Sequence, residues 1–192
     1  MGANRNRKIP VGIVKIAGNI KLLILDVDGV LTDGGIILDS GTNELKVFHV
    51  RDGHGLVMLR KAGFKVAIIT GRNSRTVDRR ARELGITEVC QNCRSKLDAY
   101  EKLLEKFGFA DKEVAFIGDD VTDIPLLNRV GLPVTVADAV EEAKEAALFI
   151  TSSNGGRGAV REVCDLILKA NGKWSEVAEA GRVGRKDECN QA

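Results

Sequence analysis

The sequence predicts a doubly wound α/β domain, a parallel sheet with helices on both faces, on the strength of three observations. Short apolar, β-rich runs recur at Lys21 to Leu25, Lys65 to Ile69, Glu113 to Ile117, Leu132 to Val136 and Leu148 to Ile150. Segments of helical period lie between them, and Gly63, Gly85 and Gly108 stand where those helices should close. Strands alternating with helices read as parallel neighbours joined by right-handed crossovers, which place helices on both sides of the sheet.

Taken in order, residues 1–19 read as an N-terminal arm, disordered or docked. A basic run precedes an apolar one as in a signal peptide, but Lys15 interrupts the apolar stretch and a strand follows almost at once. After the first strand the alternation is broken by Gly34-Gly35, Ile36 to Leu38, a turn at 39–43 and Leu45 to Val50, which together read as an inserted β-hairpin. Helices are expected over Gly53 to Ala62, Ser74 to Leu84 and Ser95 to Phe107, the last preceded by a short third strand. Shorter helices should follow near Ile124 to Arg129 and Ala139 to Ala146, and a final one from Gly158 to Ala170. From residue 173 to 192 the chain is polar and without sustained period, so it reads as a flexible tail, leaving 20–172 as the folded domain.

Composition narrows the function classes. The 192 residues are 44% hydrophobic, enough for one substantial core, and one domain is the expectation. The net charge is only +2 with cations scattered along the chain, and aromatic residues are 4%, so neither a nucleic-acid footprint nor a base-stacking surface is visible. No apolar run of about 18 residues is present, so no membrane partner is expected; a cytoplasmic protein acting on a small molecule is. Of the cysteines Cys90, Cys93, Cys164 and Cys189, only the first two are close, which is too few for a zinc ribbon. They read as reduced thiols at a strand end, or as a redox pair ahead of a helix. No G-x-G-x-x-G follows the first strand, and Gly155-Gly156-Arg157-Gly158 comes late, where it suits a flexible approach to a phosphate or a neighbouring molecule.

In a doubly wound sheet the reactive groups gather beyond the carboxyl ends of the strands. Here the first strand runs into Asp26-Val27-Asp28-Gly29-Val30-Leu31-Thr32-Asp33, the second into Thr70-Gly71-Arg72 and the fourth into Gly118-Asp119-Asp120-Val121-Thr122-Asp123, while Lys96 opens the helix after the third. Carboxylates converging on one cleft repel each other unless some are protonated or a cation lies among them. Oxygen-only donors select a hard ion such as Mg²⁺, which also binds phosphate. The alternative for any one of these Asp residues is a helix cap or an Asx turn, which is the lesser reading.

The set, in this order, resembles the haloacid dehalogenase superfamily, whose phosphatases carry a DxD motif, a Ser or Thr after the second strand, a Lys, and a GDD-type motif. The resemblance implies a Rossmann-like haloacid dehalogenase fold in which Asp26 is the nucleophile and Asp28 the general acid and base. It also implies that Thr70 and Lys96 contact the phosphoryl group, and that Mg²⁺ is held by Asp26, the Asp28 carbonyl and Asp119. Asp120 and Asp123 are expected to support these groups from behind. Only a hairpin and one helix fit between Asp28 and Thr70, so the fold should be capless, with an active site that oligomerisation closes.

From Ile20 to Gly172 the stretches LLILDVDGVLTDG, FHVRDGHG, AIITGR, GDDVTD and GGRGAVREVCDLIL are similar to the 3-deoxy-D-manno-octulosonate 8-phosphate phosphatase family. That resemblance implies a homotetramer hydrolysing this sugar acid phosphate in lipopolysaccharide biosynthesis. Substrate contacts are expected from Asp28, His49, Val50, Arg51, Asp52, Gly53, Gly71, Arg72, Arg80 and Lys96, with Arg157 approaching a neighbour's site. Arginine suits such a substrate because its planar fork binds carboxylate or phosphate at two points. A nine-carbon ulosonate 9-phosphate is the alternative substrate, and a non-catalytic oligomerisation domain, as found beside nucleotide-sugar synthetases, is the alternative role.

Overall fold

Every side chain of Leu22–Leu25 is buried, and a strand apolar on both faces belongs between two covering layers. In the computed structural model, which describes residues 9–41 and 44–183, this strand, β1, is central to a six-stranded parallel sheet. A short antiparallel hairpin of β2 (Ile37–Leu38) and β3 (Glu44–Leu45) follows, with Ile37 opposite Leu45. The remaining strands are β4 (Lys65–Ile69), β5 (Glu88–Cys90), β6 (Val114–Ile117), β7 (Leu132–Thr135) and β8 (Phe149–Ile150), in the spatial order β5-β4-β1-β6-β7-β8.

The chain therefore steps from β1 to one side, returns, and steps to the other. Helices α2 (Val50–Lys61) and α3 (Arg75–Leu84), numbered after an N-terminal α1 (Val11–Ala17), make the crossovers on the first side. Helix α4 (Lys96–Phe107) carries the chain back, and α5 (Ile124–Leu127) and α6 (Glu141–Ala146) make the crossovers on the second. Right-handed connections then put α2 and α3 on one face and α4, α5 and α6 on the other. The long C-terminal α7 (Ala159–Ala170) packs on α2. Ser95 caps α4 by accepting the Asp98 amide hydrogen bond at 3.2 Å. Only the hairpin and α2 separate β1 from β4, so no cap domain covers the strand ends. Among the described residues no helix is long and apolar enough to cross a membrane.

Five features differ from the sequence reading. The second hairpin strand stops at Leu45 and α2 begins at Val50 rather than Gly53, while Lys46 pairs with Asp28 and Phe48 packs on the core. Within the expected N-terminal arm, residues 11–17 form α1, which docks on α7; Ile13 and Ala17, four apart, are buried together, and Asn171 Nδ2 donates to the Ala17 carbonyl at 3.0 Å. The expected tail begins with α8 (Trp174–Val183), held where the Trp174 ring lies 4.7 Å from Lys169 Nζ and Val177 packs on the core. Residues 1–8 of the arm and 184–192 of the tail lie outside the described residues. The glycine segment before α7, expected to be flexible, is pressed onto its own chain. Gly156 donates to the Val30 carbonyl at 2.9 Å, and Gly155 to Asp138 Oδ1 at 2.9 Å.

A Cβ on Gly155 would stand 1.6 Å from the Gly29 carbonyl oxygen, so that backbone must move to admit any side chain. Gly155→Ala is expected to lower unfolding free energy by about 1–3 kcal/mol, read from urea denaturation. Gly12→Ala serves as the control, since nothing lies within 4 Å of the added carbon and its φ is not positive, and it should leave stability unchanged or slightly raised.

Candidate active site

The order β4-β1-β6 means that the chain reverses direction across the sheet between β1 and β6, and ligand sites of such folds lie outside the carboxyl ends at that reversal. Asp26 follows β1 directly, its amide donating to the Ile117 carbonyl at the end of β6 at 3.0 Å. Asp119 follows β6, and Thr70 follows β4, its amide bonded to the Cys90 carbonyl at 2.9 Å. A cleft of about 340 Å³ opens there, lined by Asp26, Asp28, Thr70, Gly71, Arg72 and Lys96 and, on its far wall, by Asp119, Asp120 and Asp123.

Lys96 organises the floor. Its Nζ lies 2.6 Å from Asp26 Oδ1 and 2.5 Å from Asp123 Oδ1. Burial opposes its charge, but the two carboxylates outweigh that and hold its pKa above the usual lysine value. The other Asp123 oxygen accepts the amides of Asp119 and Asp120 at 2.9 and 3.2 Å. Asp123 is thus fully engaged in shaping the loop. Asp120 caps the turn at Val121, whose amide it accepts at 2.6 Å.

Asp26, Asp119 and Asp123 can each bring a carboxylate oxygen within 4.8 Å of the others. Burial pushes Asp26 up to about 6, with Asp123 and Asp28 adding to the rise against Lys96. Asp119 is pushed up to about 7 by burial and by Asp26, Asp123 and Asp120. One ammonium does not balance this many carboxylates, and an all-oxygen cluster short of positive charge fits a hard divalent ion. The backbone makes room for it: Gly29, at φ +94°, has its missing Cβ position 2.0 Å from Asp119 Oδ2. Since Asp123 is already engaged, Asp26 and Asp119 are the carboxylates open to an ion.

These features have known counterparts. A family model of haloacid dehalogenase-like hydrolases matches residues 49–131. The chain is 48% identical over 168 residues to 3-deoxy-D-manno-octulosonate 8-phosphate phosphatase KdsC of Escherichia coli K12, covering 88% of this chain and 89% of that one. This chain belongs to the 3-deoxy-D-manno-octulosonate 8-phosphate phosphatase family. The Yersinia pestis phosphatase of that name superposes with a TM-score of 0.86 at 47% identity, over 87% of this chain and 90% of the other. The Moraxella catarrhalis phosphatase, crystallised with magnesium, phosphate and KDO, superposes with a TM-score of 0.85 at 44% identity, over 88% and 98%.

Six of the contacts expected from the sequence, His49, Val50, Arg51, Asp52, Gly53 and Arg80, do not line this cleft, while Arg157 was expected at a neighbour's site. Asp52 is buried and accepts the Gly158 and Arg161 amides at 3.1 and 2.7 Å, which makes it a cap on α7. His49 Nδ1 stands 3.5 Å from the same carboxylate. Gly53 gives way to Arg80, whose Nη2 lies 2.2 Å from where a Cβ would be, while the Arg80 guanidinium sits over Phe48 and pairs with Glu83. Val50 and Arg51 are exposed at the start of α2. Arg157 pairs with Asp33 of its own chain at 2.7 Å.

The sequence reading missed other residues. Cys93, Arg94 and Thr122 also line the cleft. Lys46 bonds Asp28 Oδ1 and lies 2.5 Å from Glu44 Oε1, and burial of its charge is overcome by those two carboxylates, which raise its pKa. The only sequence signal for Lys46 was a charge within an apolar hairpin strand. Cys90 and Cys93 are free thiols that burial pushes above the usual value, which disfavours the reactive thiolate.

The raised carboxyls set a pH signature. Between about pH 4 and 7 the folded protein holds protons that the unfolded chain has released, so their contribution to stability falls as pH rises through this window. In metal-free protein Asp119→Asn is expected to flatten that fall and raise the melting temperature at pH 8. Saturating Mg²⁺, at about a hundred times its dissociation constant, should raise the melting temperature of the unmodified protein by roughly 5–10 °C at pH 8 and leave the variant nearly unmoved. Scanning calorimetry across pH with and without the ion reads both effects.

Proposed function

We propose that this chain is a Mg²⁺-dependent phosphatase that hydrolyses 3-deoxy-D-manno-octulosonate 8-phosphate to the free sugar acid and phosphate, in lipopolysaccharide biosynthesis. The observation that carries the reading is the setting of Asp26, a nearly buried carboxylate with Lys96 on one oxygen and Asp119 beside it at the sheet's reversal point. A carboxylate that must approach an anionic phosphate needs more positive charge than Lys96 alone supplies, and the neighbouring Asp119 is where a divalent ion would add it.

Asp26 is the nucleophile. One of its oxygens bonds to phosphorus as the ester P–O bond breaks, and Asp28 gives a proton to the departing sugar alkoxide. In the second displacement Asp28 takes a proton from water, whose oxygen bonds to phosphorus while the bond to Asp26 breaks and phosphate leaves. Asp26, Asp119 and the backbone carbonyl of Asp28 would hold Mg²⁺, which would supply positive charge to offset the repulsion between nucleophile and phosphate. Lys96 and the Thr70 hydroxyl stabilise the phosphoryl oxygens, and Gly71 and Arg72, at the mouth, face the sugar acid.

The working unit in this proposal is a cytoplasmic homotetramer whose neighbours close the capless cleft. It is supported by the hairpin, where Ile36, Ile37, Leu38, Leu45, Val47 and Val50 are all exposed, since an apolar patch with an open strand edge is otherwise an aggregation hazard. Arg51 follows Val50 of that patch in sequence and would be within reach of a neighbour in such an assembly.

Phosphate release from a panel of phosphorylated sugar acids tests the activity. Octulosonate 8-phosphate should be the preferred substrate, chelation should abolish turnover and Mg²⁺ restore it, and Asp26→Asn should lower kcat by at least about a thousandfold. Preference for a nine-carbon ulosonate 9-phosphate moves the assignment to that substrate. No release from any ester leaves the non-catalytic oligomerisation domain as the better reading. Light scattering tests the assembly: the double variant Leu38→Lys and Leu45→Lys should lower the mass from four chains toward one.

A further inference from the structure

Lysine is almost never fully buried without a charged partner, yet the Lys46 side chain is only 1% exposed although its neighbours Leu45 and Val47 are open to solvent. Its Nζ bonds Asp28 Oδ1 and lies 2.5 Å from Glu44 Oε1. The other Glu44 oxygen accepts from Arg72 Nη2 at 3.1 Å, and Arg72 Nε stands 3.6 Å from Asp28 Oδ2. The ring is thus closed, and each oxygen of Asp28 faces a cation from a different element. Thr76 Oγ1 donates to the Glu44 carbonyl at 3.1 Å, fixing the base of the hairpin to α3.

We infer that Lys46 is a positioning residue for the proposed reaction, holding the Asp28 carboxylate in the orientation from which it protonates the leaving group. The inference rests on the phosphatase reading of the cleft. A carboxylate free to rotate presents its proton to the departing oxygen only part of the time, and a buried ion pair adds too little net stability to account for drawing Lys46 out of water. The demand on Asp28 depends on the leaving group. A sugar alkoxide is a poor leaving group and must be protonated as it departs, whereas p-nitrophenolate leaves without help.

The test is kcat/KM for a sugar phosphate and for p-nitrophenyl phosphate, compared in the same Lys46→Met preparation. The sugar phosphate should lose roughly a hundredfold and the aryl phosphate less than about threefold. Lys46→Arg should recover most of the loss, and adding Lys46→Met to Asp28→Asn should cost nothing more. Retained aryl phosphate turnover shows that the variant is folded. If instead it fails to unfold cooperatively, Glu44→Gln, which releases Lys46 from its second partner, should show the same asymmetry at smaller size. Equal losses on both esters, or none, overturn the role for Lys46 while leaving the phosphatase intact. If the unmodified protein cleaves neither ester, the phosphatase reading falls and this inference with it.

Discussion

The site depends on one electrostatic constraint, the crowding of carboxylates where β1 and β6 end. Lys96 lies against Asp26 and Asp123, and the ionisation of Asp119 is suppressed by burial and by its closeness to both carboxylates. Separating such charges would relieve the repulsion, but the parallel register does not allow it. Leu25 is paired with Ile117, so residues just beyond these strands share one small volume whatever their charge. A fold that brings acids together in this way requires a countercharge, and a single lysine leaves a deficit that a divalent ion suits. The raised carboxyls and the cation site are two views of that deficit.

Backbone packing keeps the crowding in place. The loop 26–33 is held between Asp119 on one side and the segment before α7 on the other, with no side chain on either Gly29 or Gly155 to force them apart. Asp52 joins this segment to α2 by accepting the amides at the start of α7, a favourable place for an anion because the helix dipole and unpaired amides point there. A carboxylate that resembled a substrate contact in sequence thus contributes by fixing the wall that supports the nucleophile's loop.

Most of the sheet was legible because its signals are local. The run from Lys65 to Ile69 is the strand as found, and glycines ended α3 and α4 where the left-handed conformation required them. The ends of β1, β4 and β6 were legible for the same reason, since a polar motif directly after an apolar run needs no tertiary knowledge to place. Three things were not. Helix α1 has only seven residues, too few for period alone to reveal it, and α8 is held by Trp174 against α7, a contact invisible in a polar stretch. The third is Lys46, whose partner Asp28 lies 18 positions away, so that alternation along the strand gives its face while only the docking of the hairpin gives its partner.

That hairpin ties the chemistry to the proposed assembly. Side chains alternate along an extended strand, and here the alternation sends Glu44 and Lys46 inward to Asp28 and Arg72 while Leu45 and Val47 face out. The pairing of β2 with β3 extends over only two residues on each strand, too little to be stable by itself in water. Its inner face is secured by ion pairs, and among the described residues its outer face, with Leu45 and Val47, is exposed. A neighbour that covered Leu45 and Val47 would reduce the freedom of the strand between them, and with it the freedom of Lys46. On this reasoning, closing the cleft and orienting its acid are one event seen from two faces of the same strand.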